Sequence, residues 1–524
     1  MDDLERHERL VAALRQPHCY PHPVQEIRVV ETHISSILLT GPYAYKLKKP
    51  VDLGFLDFST AERRAFFCKE ELRLNRRLAP ELYLDVVTVN GNPESPRIQG
   101  DGPVLEHAVK MRQFPDQARL DHLAEQGELT PGLIDTLGRR VAEFHATLPA
   151  APTDSPFGTA EGIEARVLEN FRQLRDRLPD AECRERVTRL EAWSRQTLEQ
   201  HREEFEQRRR EGWVRECHGD LHLANMALLD GRPVLFDCLE FSQDLRWIDT
   251  MSEVAFVCMD LAYRGLHALS WRFLNQHLFH SADYMGLSLL RHYLVYRAMV
   301  RAKVSAIRLQ QSGEAVAASE LRRYLRLAQA YTEAPARTPI VILHGLSGSG
   351  KSWLAERLAE AGGAIHIRSD IERKRLLGLP PEASTAGAGM TEAYSPQVTQ
   401  QTYQRLQALA FGIVDAGFPV IVDATFLHRE QREGFFRLAR VAGVPALIVD
   451  VEAPDPVVRE RIARRLAAGG DPSEATVRVY EHQKRSNDPL DETERRSAIP
   501  VNTDQYIDFD RLTQQVFGKS SQPA

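Results

Sequence analysis

The residues best placed to do chemistry begin at Gly345. The run Gly345-Leu346-Ser347-Gly348-Ser349-Gly350-Lys351-Ser352 fits the pattern G-x-x-x-x-G-K-[S/T]. A short apolar, β-branched run, Pro339 to His344, ends where the glycines begin. Beyond them, Leu354, Leu358 and Ala361 recur at helical spacing between Trp353 and Ala361. Strand, glycine loop and helix in that order form a cradle for phosphate. The glycines let successive backbone N–H groups turn inward, and the helix N-terminus adds its positive end. In such a loop the lysine, here Lys351, reaches the β- and γ-phosphates, and the Ser352 hydroxyl helps to hold Mg²⁺. The expected ATP-binding residues are therefore Gly345, Ser347, Gly348, Ser349, Gly350, Lys351 and Ser352, and the expected cofactors are ATP and Mg²⁺.

A second stretch, His218-Gly219-Asp220-Leu221-His222-Leu223-Ala224-Asn225, is followed by Pro233-Val234-Leu235-Phe236-Asp237. With a lysine in an earlier strand and a glutamate in the next helix, residues from about 25 to 330 resemble the aminoglycoside phosphotransferase-like branch of the protein-kinase superfold. The resemblance implies an N-terminal kinase-like α+β fold. It also implies that Asp220 accepts or orients the proton of an acceptor hydroxyl, that Asn225 and Asp237 are metal ligands, and that a strand lysine pairs with the α/β-phosphates. Lys46 is favoured for that lysine, with Lys48 on the same face as the alternative. Its helix partner is Glu71 or Glu70. His218 and His222 are expected to brace the loop. Residues 31–41 contain no Gly-rich loop of the kind with which a protein kinase covers the phosphates.

After the glycine loop, strands alternate with helices. Strand-like runs at 364–367, 419–423 and 445–451 and helical ones at 395–416, 429–442 and 455–466 predict a parallel sheet wound by helices. This part, about 339–510, resembles the small P-loop kinases, most closely the polynucleotide-kinase and zeta-toxin-like group. The resemblance assigns Asp370 as general base and Arg373 as a grip on an acceptor anion. It places Asp423 at the metal or the acceptor. Among Arg461, Arg464 and Arg465, at least one is expected over the triphosphate; Arg464 stands for the set. The whole pairing resembles the bifunctional aminoglycoside phosphotransferase-like/P-loop ATP-binding proteins.

A chain of 524 residues is too long for one core. The Pro/Ala stretch 333–338 divides a kinase-like domain, 1–332, from a P-loop kinase/ATPase domain, 339–524. Residues 378–392, rich in Gly, Pro and Ala, read as a mobile loop, and the basic face Arg297, Arg301 and Lys303 as solvated surface. The formal net charge of -6 argues against a general polyanion-binding surface. A small-molecule hydroxyl acceptor is thus favoured over a 5′-hydroxyl nucleic acid end. The chain has no apolar run long enough to span a bilayer, and its acidic start does not read as a signal peptide. Six cysteines without a C-x-x-C pair read as reduced thiols of a cytoplasmic protein. Three readings follow: two phosphotransferase modules; a catalytic C-terminal domain with a regulatory kinase-like one; or an ATP-driven regulatory or toxin-type switch. The sequence does not indicate the oligomeric state.

Overall fold

Alternation along Tyr43–Lys48 puts Tyr45 and Leu47 on one face of a strand and Lys46 and Lys48 on the other. The first face joins a core with Leu38, Val87 and Ala108. In the computed structural model, which describes residues 3–54, 56–333, 338–383, 391–468 and 473–518, this strand is central to an antiparallel sheet. The strands are β1 (Arg28–Glu31), β2 (Ser35–Leu39), β3 (Tyr43–Lys48), β4 (Tyr83–Asn92), β5 (Ser95–Ile98) and β6 (Val104–Arg112), in the order β1-β2-β3-β6-β4-β5. The helix Ala61–Asn75 packs on it. Thr60 caps that helix, accepting from the Arg63 N–H, and Arg64, Cys68, Glu71 and Leu74 recur on its buried face. Glu70 lies about 100° round the helix from Glu71 and so falls at the edge of that face.

The chain forms two compact units. One comprises Met1–Thr136, Thr147–Ile163 and Glu203–Asp260; the other comprises Leu137–Ala146, Glu164–Arg202 and Leu261–Ala524. The first unit holds the sheet just described, together with β7 (Val214–Glu216), the hairpin β8 (Met226–Leu229) and β9 (Arg232–Leu235), and β10 (Trp247–Asp249), which pairs with β7. The second unit contains the helices His267–Ser281, Leu287–Ser312 and Ala315–Thr332 and a five-stranded parallel sheet. Its strands are β11 (Ile340–His344), β12 (Ile365–Arg368), β13 (Val420–Asp423), β14 (Ala446–Glu452) and β15 (Ala498–Asn502), in the order β12-β13-β11-β14-β15. Val341 and Leu343 pack with Leu354, Leu358 and Val516 in its core.

Of the expected linker, residues 334–337 lie outside the described residues, as do 384–390 of the Gly/Pro/Ala-rich stretch. Arg297, expected on a solvated face, is buried, and Lys303 donates to Gln173 Oε1 at 3.1 Å. All six cysteines are free and buried. Among the described residues, no helix is long and apolar enough to cross a membrane.

Candidate active sites

In the first unit, the two lysines of β3 converge on one carboxylate. Lys46 Nζ lies 2.9 Å from Glu71 Oε1 and 2.6 Å from Asp237 Oδ1. Lys48 Nζ lies 2.7 Å from Glu71 Oε2 and also pairs with Glu240. Glu70 instead faces Arg73 and Arg246. Burial pulls Glu71 toward the neutral form, but the two lysine charges overcome it and hold the carboxyl at about 2. Burial also works against the Lys46 charge, yet Asp237 and Glu71 push its pKa well above the ordinary value. Glu240 behaves differently: burial raises its pKa despite the pull of Lys48.

The His218–Asn225 loop follows β7. Asn225 Nδ2 donates to the carbonyl and to Oδ2 of Asp220, at 2.9 and 3.1 Å. His222 Nε2 lies 3.3 Å from the same carboxylate oxygen, and His218 meets the Phe236 carbonyl at 2.8 Å. Both histidines therefore touch the loop or the segment that leads to Asp237. Gly219 has φ +91°, and a Cβ there would lie 3.0 Å from the Leu245 carbonyl oxygen, so glycine is needed. Asp237 itself has φ +65°, an uncommon conformation for a residue with a side chain. With its amide nitrogen committed to Asp220, Asn225 keeps Oδ1 as a neutral hard donor. Together with the Asp237 carboxylate, that set fits Mg²⁺.

The second unit holds the glycine loop. Gly345 has φ +146°, and a Cβ would come within 2.3 Å of the Val451 carbonyl oxygen. Lys351 Nζ donates to the loop's own carbonyls, Gly345 at 2.9 Å and Leu346 at 2.8 Å. Ser352 Oγ donates to Asp423 Oδ2 at 2.6 Å, and the same oxygen lies 3.4 Å from His366 Nε2 and 3.7 Å from Arg368 Nε. Burial opposes the Asp423 charge, but His366, Arg368 and Lys351 hold its pKa well below the carboxylate range. A hydroxyl and a carboxylate at this contact are the hard-oxygen pair that suits Mg²⁺. Asp370 and Arg373 lie on the helix Ser369–Leu376, with Arg373 Nη1 3.2 Å from Asp370 Oδ1 and its guanidinium 4.6 Å from the Tyr394 ring centre. Lys351, Ser352, Asp370, Arg373, Tyr394 and Asp423 line one cleft of about 740 Å³, with Ser347, Gly348 and Gly350 of the loop; Gly345, His366 and Arg368 do not reach its wall.

Burial lowers the Lys351 pKa from 10.5 to about 8, although Asp423 and Asp370 pull it up. Phosphates drawn against it would restore the charge, so nucleotide binding near pH 8 is expected to take up about half a proton at this site. Calorimetry in buffers of different ionisation enthalpy checks this. Affinity should fall as pH rises through 8, because the free protein must then acquire the proton.

The structure does not bring Arg464 to the cleft. Its side chain is 77% exposed and pairs with Glu460. Two positions from the buried Ile462, it lies about 200° round the helix Asp455–Ala468 and faces away. Arg461 and Arg465 do line the cleft. Arg461 donates to Thr503 Oγ1 at 2.7 Å and Arg465 to the Ala475 carbonyl at 2.7 Å. Sequence reasoning also passed over Gln483, which accepts from the Ser347 N–H at 2.8 Å, and Thr503, which donates to the Ser349 carbonyl at 2.6 Å. It passed over Arg432 as well. That fully buried guanidinium is 2.7 Å from Glu494 and donates to the Phe426 carbonyl at 3.0 Å, bracing the turn after β13. None of these carries a motif; each acts through a contact distant in sequence.

The antiparallel sheet with its lysine–glutamate pair and His218–Asp237 segment defines a kinase-like phosphotransferase fold. The 2-3-1-4-5 order of the parallel strands, with the glycine loop after β11, defines a P-loop kinase-like one. Residues 58–290 match the profile of the Phosphotransferase enzyme family, and residues 340–490 match that of an AAA domain. "Uncharacterized protein Rv2004c" of Mycobacterium tuberculosis strain H37Rv is 32% identical over 466 residues, 88% of this chain and 91% of its own. A Mycobacterium bovis protein matches to the same extent. The chain belongs to the same family as these proteins. Among solved structures, a choline/ethanolamine kinase family protein from Mesorhizobium loti is 13% identical, with a TM-score of 0.40 over 63% of this chain and 95% of its own. The APS kinase CysC of M. tuberculosis, in complex with AMPPNP and APS, is 21% identical, with a TM-score of 0.25 over 35% of this chain and 96% of its own.

Proposed function

We propose that the protein is an ATP-dependent phosphotransferase with two nucleotide-using modules, 1–332 and 339–524, each transferring the γ-phosphoryl group to a hydroxyl acceptor. The observation that carries this reading is a shared cleft. Asp370 and Arg373 line the same space as Lys351, Ser352 and Asp423, so an acceptor hydroxyl and a triphosphate can meet there. A volume of about 740 Å³ suits a nucleotide with a small partner. Asp370 takes the acceptor proton, Arg373 orients the acceptor, and Lys351 with Arg465 stabilises charge spreading over the γ-phosphoryl oxygens. Mg²⁺, held by Ser352 and Asp423, would neutralise phosphate charge. In the first module Asp220 has the matching role, Lys46 meets the phosphates, and Asn225 with Asp237 would hold the metal. A cytoplasmic location fits reduced thiols.

The test is transfer of label from [γ-³²P]ATP to a panel of small hydroxyl compounds and 5′-hydroxyl oligonucleotides, using wild type, Lys351→Ala and Asp220→Ala. Each substitution is expected to remove a different labelled product. Turnover unchanged in both would sink the two assignments. Tight ATP binding without any transfer would favour a nucleotide-driven switch.

A further inference from the structure

The helix His267–Ser281 lies inside the stretch matched by the phosphotransferase profile, yet it reaches three elements that carry the phosphate-loop site. Asn275 Oδ1 accepts from the His366 N–H at 2.8 Å, and Asn275 Nδ2 donates to the Ala364 carbonyl at 3.0 Å. β12 is an outer strand of the parallel sheet, so this one amide occupies the positions that another strand would take. Nδ2 also donates to the Trp271 carbonyl at 3.0 Å, which ties the amide to its own helix. One turn earlier, Arg272 pairs with Glu360 on the helix Lys351–Gly362. Near the helix C-terminus, the Leu278 carbonyl accepts from Arg375 Nη2 at 3.2 Å. Arg375 stands on the helix that carries Asp370 and Arg373.

His366 is the inward link. Its backbone N–H is held from outside by Asn275, while its ring lies 3.4 Å from Asp423, the carboxylate that also takes the Ser352 hydroxyl. We propose that Asn275 is a positioning residue of the phosphate-loop site: by completing the edge of β12 it sets where His366 holds Asp423, and so makes Mg²⁺-nucleotide binding by the P-loop part depend on a helix from the phosphotransferase part. This rests on the reading of Ser352 and Asp423 as the metal-facing pair. It implies that the helix His267–Ser281, which lies in the same compact unit as the parallel sheet, tunes the phosphate-loop site through this amide, whatever the acceptor is.

The experiment uses the full chain carrying Lys46→Met and Asp237→Ala, which remove the phosphate lysine and one of the two metal ligands of the other site, and titrates AMP-PNP with Mg²⁺ or with EDTA. Asn275→Ala is expected to weaken Mg²⁺-loaded binding by about 10-fold and metal-free binding by less than about twofold, as outer-shell partners of metal ligands do. Amide exchange across 364–368 should quicken in the same variant. Arg272→Ala, which loosens the same helix without touching β12, should move both readouts in the same direction by less, and serves if Asn275→Ala does not fold. Equal weakening with and without Mg²⁺, or unchanged affinity and exchange, would overturn the proposal. Binding that survives Lys351→Ala in this background would overturn the phosphate-loop reading itself, and this inference with it.

Discussion

Lys48→Met is expected to destabilise the protein by about 3–5 kcal/mol, whereas Lys46→Met should leave it folded but unable to use ATP at the first site. The two lysines sit on one face of β3 and share Glu71, so the difference lies in what each leaves behind. Without Lys48, Glu240 and Glu71 remain buried with a single cation between them. Without Lys46, Glu71 keeps Lys48, and the Asp237 side chain, 42% exposed, can turn to water. Urea unfolding of both variants distinguishes them, with ATP-dependent labelling as the second axis. The Lys48→Met penalty should shrink at low pH. Burial already raises the Glu240 pKa above its unfolded value, and losing Lys48 raises it further, so protonation relieves the folded state as pH falls. Equal stability losses in the two variants would mean that neither lysine is reserved for nucleotide.

Asp423→Asn should reduce Mg²⁺-dependent transfer at the second site by about 10²–10³-fold and leave the fold intact. The amide oxygen can still accept from Ser352, but the negative charge that Lys351, His366 and Arg368 converge on is gone. The loss should appear in kcat and in the Mg²⁺ titration rather than in thermal unfolding. Transfer that survives the substitution would make Asp423 a pin for the loop and nothing more.

What the sequence revealed, and what it did not, follows from the range of the interactions. Both sheets were legible where strands alternate or run apolar, as at β3, β11 and β13. Of the strands the sequence did not foreshadow, β5 and β15 each contain an interior proline, Pro96 and Pro500, which argues against a strand on local grounds. Each lies at the outer end of its sheet, where a missing N–H is tolerated. The motif residues were readable because glycines, a lysine and carboxylates at fixed spacing serve local geometry. The choice of Glu71 over Glu70 needed the phase of the helix against the sheet. Arg464 failed for the same reason: an arginine run does not say which member faces the cleft. His366, Arg432 and Asn275 were invisible, because their roles depend on partners dozens of residues away.

The six buried thiols all fall between Cys19 and Cys258, and the stretch from β11 to the end of the chain contains none. Burial raises the Cys68 thiol to about 12 and the Cys183 thiol to about 11, so the reactive thiolate is scarce as well as enclosed. A thiol-directed dye therefore acts as a clock for the chain before β11: the first unit, with five of the thiols, and the helix Ala181–Gln200 of the second, with Cys183. It stays silent while the phosphotransferase part is closed and is blind to whatever the P-loop part does. Labelling rates followed during nucleotide binding thus record breathing of the chain before β11, with the stretch from β11 onward contributing no background.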